Sequence, residues 1–147
     1  MFKVLNHKNI IKHIDTIENK SFLYIITELV GDGDLFDYVL KNEFLEGEFE
    51  NQINRKIIEF SFSSEVEAQV VMKQLLDCLS YLHDTGIIHR DLKPENILIL
   101  LDPSTQKIKE IKLIDFGFAK FVTEDHKLTE TCGTPNYAGT RKFIPLM

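Results

Sequence analysis

Residues 89–96 read His-Arg-Asp-Leu-Lys-Pro-Glu-Asn, which is the most informative stretch of the sequence. The tripeptide Asp115-Phe116-Gly117 follows it further along the chain. A three-residue motif recurs by chance, but an unbroken eight-residue loop with this tripeptide at a compatible distance is specific. The two motifs together carry the prediction of function, and the segments around them carry the prediction of the fold.

The segment before the loop, residues 65–83, predicts a long helix with one buried face. Its apolar side chains recur at helical spacing: Ala68, Val71, Met72, Leu75, Leu79 and Leu82. Ser64 with Glu67 makes a capping box at the start, and Gly86 lies just past the end as a stop signal. Within this helix Cys78 is expected to be a small buried hydrophobic residue rather than a nucleophile.

Strands are predicted on both sides of this helix. Residues 97–101 and 108–114, which follow the loop, are short β-rich runs. Near the start of the chain, residues 10–17 and 22–28 are also β-rich, and a polar turn separates them, so they are expected to pair as a hairpin. A short helix is expected to begin after Asp34, whose carboxylate is well placed to cap it.

Composition excludes several classes of protein. The 147 residues are about one ordinary domain, and 44% hydrophobic with 27% charged residues is typical of a soluble globular chain. The longest apolar run, residues 97–101, is far shorter than the roughly 20 residues of a membrane span. Cys78 and Cys132 are too few and too far apart for a disulfide framework or a zinc site. With a net charge of −6 and no basic cluster, we expect an intracellular, cytoplasmic protein with no nucleic-acid or membrane partner.

With residues 89–96, 115–120 (DFGFAK) and 132–137 (CGTPNY) in register, the chain resembles a eukaryotic Ser/Thr protein kinase. It is most similar to the calcium/calmodulin-dependent and calcium-dependent kinases. Residues 5–11 resemble the segment between the family's regulatory helix and its fourth N-lobe strand, and residues 23–39 resemble the fifth strand, the hinge and the first large-lobe helix. The resemblance implies an α+β fold, a partial bilobal kinase fold with the end of the N-lobe sheet, the hinge and the first part of a mainly helical C-lobe. It also implies transfer of the γ-phosphate of ATP to Ser or Thr hydroxyls of protein substrates.

The resemblance assigns roles to the residues of the motifs. Asp91 would orient the substrate hydroxyl and take its proton, and Lys93 would neutralise charge on the transferred phosphoryl group. Asn96 and Asp115 would bind Mg²⁺. Glu95 would meet a basic residue of the peptide substrate.

The resemblance also assigns the adenosine site. Glu28 by its carbonyl and Val30 by its amide and carbonyl would bind the adenine edge. Thr27 falls at the gatekeeper position, Leu98 would form the floor beneath the base, and Asp34 would contact the ribose. Glu28, Asp34 and Glu95 have a plainer alternative, as solvated or capping carboxylates.

A regulatory role is implied for Arg90, Glu130 and Thr134. Counted back from the Cys-Gly-Thr tripeptide, the position that many kinases phosphorylate falls on Glu130. A carboxylate at this position is expected to pair with Arg90, much as a phosphate would. The alternative is that Glu130 is an exposed loop charge and that Thr129 or Thr131 is the phosphorylated residue.

Three departures from the family pattern lead to a further expectation. The chain has no Gly-rich phosphate loop and no V-A-I-K lysine with its glutamate partner, residues 46–62 look like an insertion, and residues 139–147 replace the A-P-E motif. We therefore predict a partial kinase domain at residues 1–138 and a divergent tail at 139–147. This fragment, or faulty gene model, is expected to be inactive and poorly stable as written. The alternative functions are a catalytically dead interaction module and a fragment that does not fold stably.

Overall fold

The computed structural model describes residues 4–46, 65–122 and 132–137. The strands and helices follow in the order β1 (His13–Glu18), β2 (Leu23–Thr27), α1 (Leu35–Glu46), α2 (Glu65–Asp84), β3 (Ile87–Ile88), β4 (Ile97–Leu101), β5 (Ile108–Leu113) and β6 (Lys120–Phe121). Short 3₁₀ helices occur at Pro94–Asn96 and Pro135–Tyr137. Within the described ranges the strands form antiparallel pairs, β1 with β2, β3 with β6 and β4 with β5. This mixture of elements confirms the predicted α+β class.

Several predicted features lie outside these ranges. They are the insertion at 46–62 except for its first residue, the capping residue Ser64 and the tail at 139–147. The boundaries drawn at residues 138 and 139 therefore stay predictions.

The predicted hairpin at the start of the chain is confirmed as β1–β2. Its polar turn is closed by Asn19, whose side-chain oxygen accepts hydrogen bonds from the backbone N–H groups of Ser21 and Phe22 at 2.9 and 2.8 Å. A register shift between His13 and Asp15 marks an irregularity in β1. The turn chemistry of asparagine thus fixes where the two strands pair.

Helix α1 begins where Asp34 predicts it. The Asp34 Oδ1 accepts the backbone N–H of Asp37 at 2.8 Å, so this carboxylate caps the helix. The helix continues to Glu46, past the short segment that the sequence indicated. Residues 41–46 contain neither glycine nor proline, so nothing local ends the helix earlier.

Helix α2 confirms the helix predicted from apolar spacing, but Met72, one of the spaced residues, is 47% exposed and lies outside the buried face. Its face toward β5 buries Val71, Cys78 and Leu82. Burial raises the pKa of the Cys78 thiol to about 12, so Cys78 stays protonated and acts as a small core residue. The helix ends before Gly86, whose positive φ of 71° is a conformation that suits glycine, and whose N–H binds the carbonyl of His83.

A buried carboxylate joins the two helices to β5. Glu67 on α2 is 3% exposed, and its Oε1 accepts hydrogen bonds from the Tyr38 hydroxyl at 2.7 Å and the Ile108 backbone N–H at 2.8 Å. A buried charge of this kind is tolerated only when strong donors reach it. Glu67 therefore fixes the point at which β5 starts relative to α1 and α2.

The β4–β5 pair is the centre of the core. Ile97 and Ile99 on β4 pair with Leu113 and Ile111 on β5, and all four side chains are buried. The alternate residues, with Leu98 opposite Lys112, lie on the other face of the pair. The loop at residues 89–96 directly precedes β4, and the tripeptide at residues 115–117 follows β5 after Ile114. Neither described helix combines the length and apolar composition that a membrane crossing requires.

Candidate active site

The loop at residues 89–96 is anchored by a buried histidine. The His89 Nε2 lies 3.0 Å from the carbonyl of Ile114, and its Nδ1 accepts the backbone N–H of Asp91 at 3.3 Å. Its ring meets the edge of Phe116 with centroids 4.8 Å apart. Burial lowers the pKa of His89 against the opposing effect of nearby acidic groups, so a neutral ring fits both hydrogen bonds. His89 therefore positions Asp91 relative to the end of β5.

The carboxylate of Asp91 is the most heavily hydrogen-bonded group of the loop. Its Oδ1 accepts the backbone N–H of Thr134 at 2.7 Å and the Thr134 hydroxyl at 2.8 Å. Its Oδ2 lies 3.2 Å from both the Lys93 Nζ and the Asn96 Nδ2. The Lys93 Nζ also donates to the Thr134 Oγ1 at 3.0 Å, which closes the network. Three predicted residues, Asp91, Lys93 and Asn96, thus meet at one point.

This network controls the ionisation of Asp91. Burial alone would raise the pKa of the carboxyl, but the hydrogen bonds from Thr134 and the charge and hydrogen bond of Lys93 outweigh it. The pKa of Asp91 is therefore held below its ordinary range. At neutral pH the group is a fully ionised acceptor, fixed in orientation by its donors.

Asn96 and Asp115 are brought to the same end of the β4–β5 pair. The backbone N–H of Ile114, next to Asp115, donates to the carbonyl of Asn96 at 2.9 Å. The Asn96 Nδ2 also donates to the carbonyl of Asp91 at 2.9 Å, which orients the amide oxygen away from the loop. The Asp115 Oδ1 accepts the backbone N–H of Gly117 at 3.1 Å. Asn96 and the residue before Asp115 are thus joined by one backbone hydrogen bond.

A cleft of about 300 Å³ opens between the hinge and the β4–β5 pair. Its lining includes the predicted Thr27, Glu28, Val30, Leu98 and Asp115, together with three residues that the sequence did not single out, Ile11, Leu29 and Ile114. Leu29 and Ile114 are apolar neighbours of predicted residues, and that adjacency was the available signal, whereas no predicted site residue lies beside Ile11 in the sequence. The cleft joins one predicted metal ligand to four of the five predicted adenosine-site residues.

Asp34, the fifth of these residues, is outside that lining. Its carboxylate caps α1, which is the plainer of the two alternatives, and its backbone bridges to Leu98. The side chain of Glu28 also makes structural contacts. Its Oε1 accepts the backbone N–H of Lys12 at 2.8 Å and lies 3.3 Å from the Lys112 Nζ.

One carboxylate oxygen of Glu95 accepts no hydrogen bond from the described residues. Its Oε2 is buried and has no hydrogen-bond partner among the described residues. Burial, followed by the charge of Glu95 and a hydrogen bond to it, raises the pKa of Tyr137. A buried carboxylate oxygen without a donor favours the approach of a cationic ligand.

The regulatory residues are only partly described. Arg90 has a positive φ of 70°, and its Nε donates to the carbonyl of Phe118 at 2.6 Å. Thr134 contacts Asp91 and Lys93 directly. Glu130, Thr129 and Thr131 lie outside the described residues, so the proposed contact between Glu130 and Arg90 stays a prediction.

The loop therefore brings the ionised Asp91 together with Lys93 and Asn96, and Asp115 lines the adjacent cleft. A family profile described as the protein kinase domain matches residues 1–141. The chain belongs to the protein kinase family.

The relatives of this kinase chain are named as kinases of serine and threonine or of phosphorylase. The phosphorylase b kinase gamma catalytic chain, liver/testis isoform, of Bos taurus is 39% identical over 135 residues, which cover 92% of this chain and 27% of that protein. Serine/threonine-protein kinase SIK1 of Mus musculus is 38% identical over 143 residues, 97% of this chain and 15% of that protein. The probable serine/threonine-protein kinase fhkD of Dictyostelium discoideum is 41% identical over 133 residues, 90% of this chain and 15% of that protein.

These relatives confirm the predicted membership of the eukaryotic Ser/Thr kinase family, and they are broadly consistent with the calcium/calmodulin-dependent type. The chain spans about a quarter of the length of the phosphorylase kinase relative and a smaller share of the other two.

The kinase site fits the cofactors that the family generally uses, ATP and Mg²⁺. Among the described residues no cluster of three or more His, Cys, Asp and Glu side chains is arranged to hold a metal alone. Mg²⁺ is ordinarily bound by one or two protein oxygens together with phosphates and water, which agrees with Asn96 and Asp115 as a pair. Bound Mg²⁺ would neutralise charge on the phosphates, and the two residues would hold it.

Proposed function

We propose that this chain supplies the nucleotide cleft and catalytic loop of a Ser/Thr protein kinase, which transfers the γ-phosphate of ATP to protein hydroxyls. The observation that carries the proposal is the carboxylate of Asp91, which Thr134, Lys93 and Asn96 hold near the end of β5, two residues before Asp115. The family membership supports the reaction class, and the cleft beside the hinge supports a nucleotide as phosphoryl donor.

Asp91 would act mainly by orientation. Because the pKa of Asp91 is lowered, the carboxylate is a weak base. It would accept the hydrogen bond of the substrate hydroxyl and take the proton late, when bond formation to phosphorus has made that hydroxyl acidic. Lys93, 3.2 Å from Asp91, would place a positive charge beside the transferred group.

The substrate would be a protein segment with a basic residue near the acceptor Ser or Thr. The buried Glu95 Oε2, which has no donor among the described residues, supports this choice. The two free cysteines, Cys78 and Cys132, support a reducing location, and we place the protein in the cytoplasm.

The test is transfer of labelled phosphate from Mg·ATP by the longest natural translation product that contains these 147 residues. Basic peptides with Ser, Thr or Tyr as acceptor are compared, with Asp91→Asn as the variant and Asp77→Asn, an exposed carboxylate of α2, as the matched control. Asp91→Asn is expected to lower kcat by about 10²- to 10⁴-fold. Full activity in Asp91→Asn, or labelling of Tyr alone, would contradict the proposal.

A second function is favoured by a separate observation. Apolar side chains of the hairpin are exposed, among them Ile14, Ile17, Phe22 and Leu23. An exposed apolar surface of this kind is typical of a protein contact. A catalytically dead chain that binds a partner would keep this surface and show no phosphate transfer, so the same assay separates the two functions.

A further inference from the structure

The hinge segment, residues 28–33, is attached to the β4–β5 pair at both ends. At its far end, the carbonyl of Gly33 accepts the backbone N–H of Ile99 at 3.0 Å, and the Asp32 Oδ2 accepts the backbone N–H of Leu101 at 2.9 Å. Both attachments are to β4. The near end, Glu28, is attached to β5 through a side chain.

That attachment is the ion pair of Glu28 with Lys112. The Lys112 Nζ lies 3.3 Å from the Glu28 Oε1 and 3.2 Å from the Glu110 Oε1. Lys112 faces Leu98 across the β4–β5 pair and shares its side of β5 with Ile114, and both of these residues line the cleft. The side chain of Lys112 therefore runs from the floor of the cleft to its hinge wall.

The same Glu28 oxygen also accepts a hydrogen bond from the residue that precedes the hairpin. The Glu28 Oε1 accepts the backbone N–H of Lys12 at 2.8 Å, and the Glu28 backbone N–H donates to the carbonyl of Lys12 at 3.0 Å. A single carboxylate oxygen thus joins the segment before β1 to the β5 strand. Removing the Lys112 charge would leave Glu28 bound to the hairpin alone.

Burial makes this pair stronger than an ordinary surface ion pair. The side chain of Lys112 is 12% exposed and that of Glu28 is 30% exposed. Exposed pairs contribute little because water screens them, whereas partial burial preserves the attraction and the orientation. Glu110, the other partner of Lys112, is outside the lining of the cleft and gives a matched control.

We propose that Lys112 is a positioning residue for nucleotide binding, because its ion pair with Glu28 holds the hinge carbonyl where the adenine base must meet it. The inference rests on the proposed function. Lys112 acts on the base and not on the phosphates, since its contact is with the hinge and no described contact joins it to Asp91, Asn96 or Asp115. Preorganised hinge groups bind a base without the entropy cost of ordering them.

The test separates base binding from phosphate binding in the longest natural translation product. Adenosine and Mg²⁺-tripolyphosphate are titrated by calorimetry into wild type, Lys112→Met, Lys112→Arg, Glu28→Gln and Glu110→Gln. Lys112→Met keeps the apolar stem and removes the charge, and Glu28→Gln breaks the same pair from the other side. Both Lys112→Met and Glu28→Gln are expected to weaken adenosine binding about three- to tenfold and to leave the affinity for tripolyphosphate unchanged. Lys112→Arg and Glu110→Gln are expected to bind both ligands as wild type does.

Each other outcome is informative. Equal weakening of both ligands in Lys112→Met and Glu28→Gln would indicate general damage to the fold and overturn the inference, as would unchanged adenosine binding. An effect of Glu110→Gln as large as that of Lys112→Met would assign the role to the charge network of β5 instead. Wild type that binds neither ligand would overturn the proposed function itself, and the inference with it.

Discussion

The β4–β5 pair and the β1–β2 hairpin both contain apolar side chains, but among the described residues only the β4–β5 pair buries its apolar face. Ile99 and Ile111 in β4–β5 are fully buried, whereas Ile14 and Leu23 in the hairpin are about 60% exposed. The core of α2, β4 and β5 accounts for this difference, because it packs one face of β4–β5 and leaves the hairpin outside. The difference shows that the catalytic loop is held by contacts within the described residues, while the hinge wall depends on a few attachments such as Glu28 to Lys112.

Truncating one residue of each region tests this difference and has the largest expected effect. Ile111→Ala removes a fully buried side chain and is expected to lower the free energy of opening of β4–β5 by about 2–5 kcal/mol. Leu23→Ala, on the exposed hairpin, is expected to change it by no more than about 0.5 kcal/mol. Hydrogen exchange of the β4 and β5 amides measures both. An equal loss of opening free energy in Ile111→Ala and Leu23→Ala would mean that the hairpin is part of the same core.

Within the loop, the hydroxyl of Thr134 is expected to contribute the next largest effect. Thr134→Val keeps the size of the side chain and removes the hydroxyl that bonds Asp91 and Lys93. Loss of a hydrogen bond to a charged group predicts a fall of about tenfold in kcat, with the KM for ATP unchanged. Thr134→Ser, which retains the hydroxyl, is the control. If kcat falls as far in Thr134→Ser as in Thr134→Val, the methyl contact and not the hydroxyl is responsible.

The same variant tests the ionisation of Asp91. The folded pKa of Asp91 lies below its ordinary value of 3.8, so its stabilising contribution is present above that value and is lost as pH falls through the folded pKa. Removing one donor in Thr134→Val raises this pKa toward 3.8, so the acidic limb of the kcat–pH profile is expected to shift to higher pH. An unshifted limb would show that the hydroxyl of Thr134 does not set the charge of Asp91.

The smallest expected effect concerns the end of α2. Gly86 has a φ of 71°, and a Cβ built there would lie 3.3 Å from the carbonyl oxygen of Val122. Gly86→Ala is expected to cost about 1 kcal/mol in the free energy of unfolding, measured by urea denaturation. Gly31→Ala, where a Cβ meets nothing within 4 Å, is the matched control and should be close to neutral. A neutral Gly86→Ala would mean that β3 and β6 adjust without cost.

Local signals in the sequence predicted most of the fold and much of the candidate site. The apolar spacing of α2, the turn at Asn19 and the cap at Asp34 are each set by residues close together in the chain. The loop motif likewise placed Asp91, Lys93 and Asn96 together, because all three lie within six positions of one another.

The remaining features depend on residues that are distant in the sequence. The two-residue strands β3 and β6 are too short to show a periodic pattern, and the pair of Glu28 with Lys112 joins segments on opposite sides of α2. The double hydrogen bond of Thr134 to Asp91 also crosses a long stretch of chain. No local pattern in a single sequence reports such contacts. The roles of Glu130 and of the residues at 139–147 stay predictions.

Binding of Mg·ATP in the cleft, with Asp91 acting on the other substrate, is tested by titrating Mg²⁺ into ATP-binding reactions. Wild type, Asp91→Asn and Asp115→Asn are compared by calorimetry. Asp115→Asn is expected to weaken Mg²⁺-dependent ATP binding by about 10- to 100-fold, because it removes the charged metal ligand. Asp91→Asn is expected to bind Mg·ATP as wild type does. Wild-type affinity in Asp115→Asn, or lost affinity in Asp91→Asn, would contradict this division of roles.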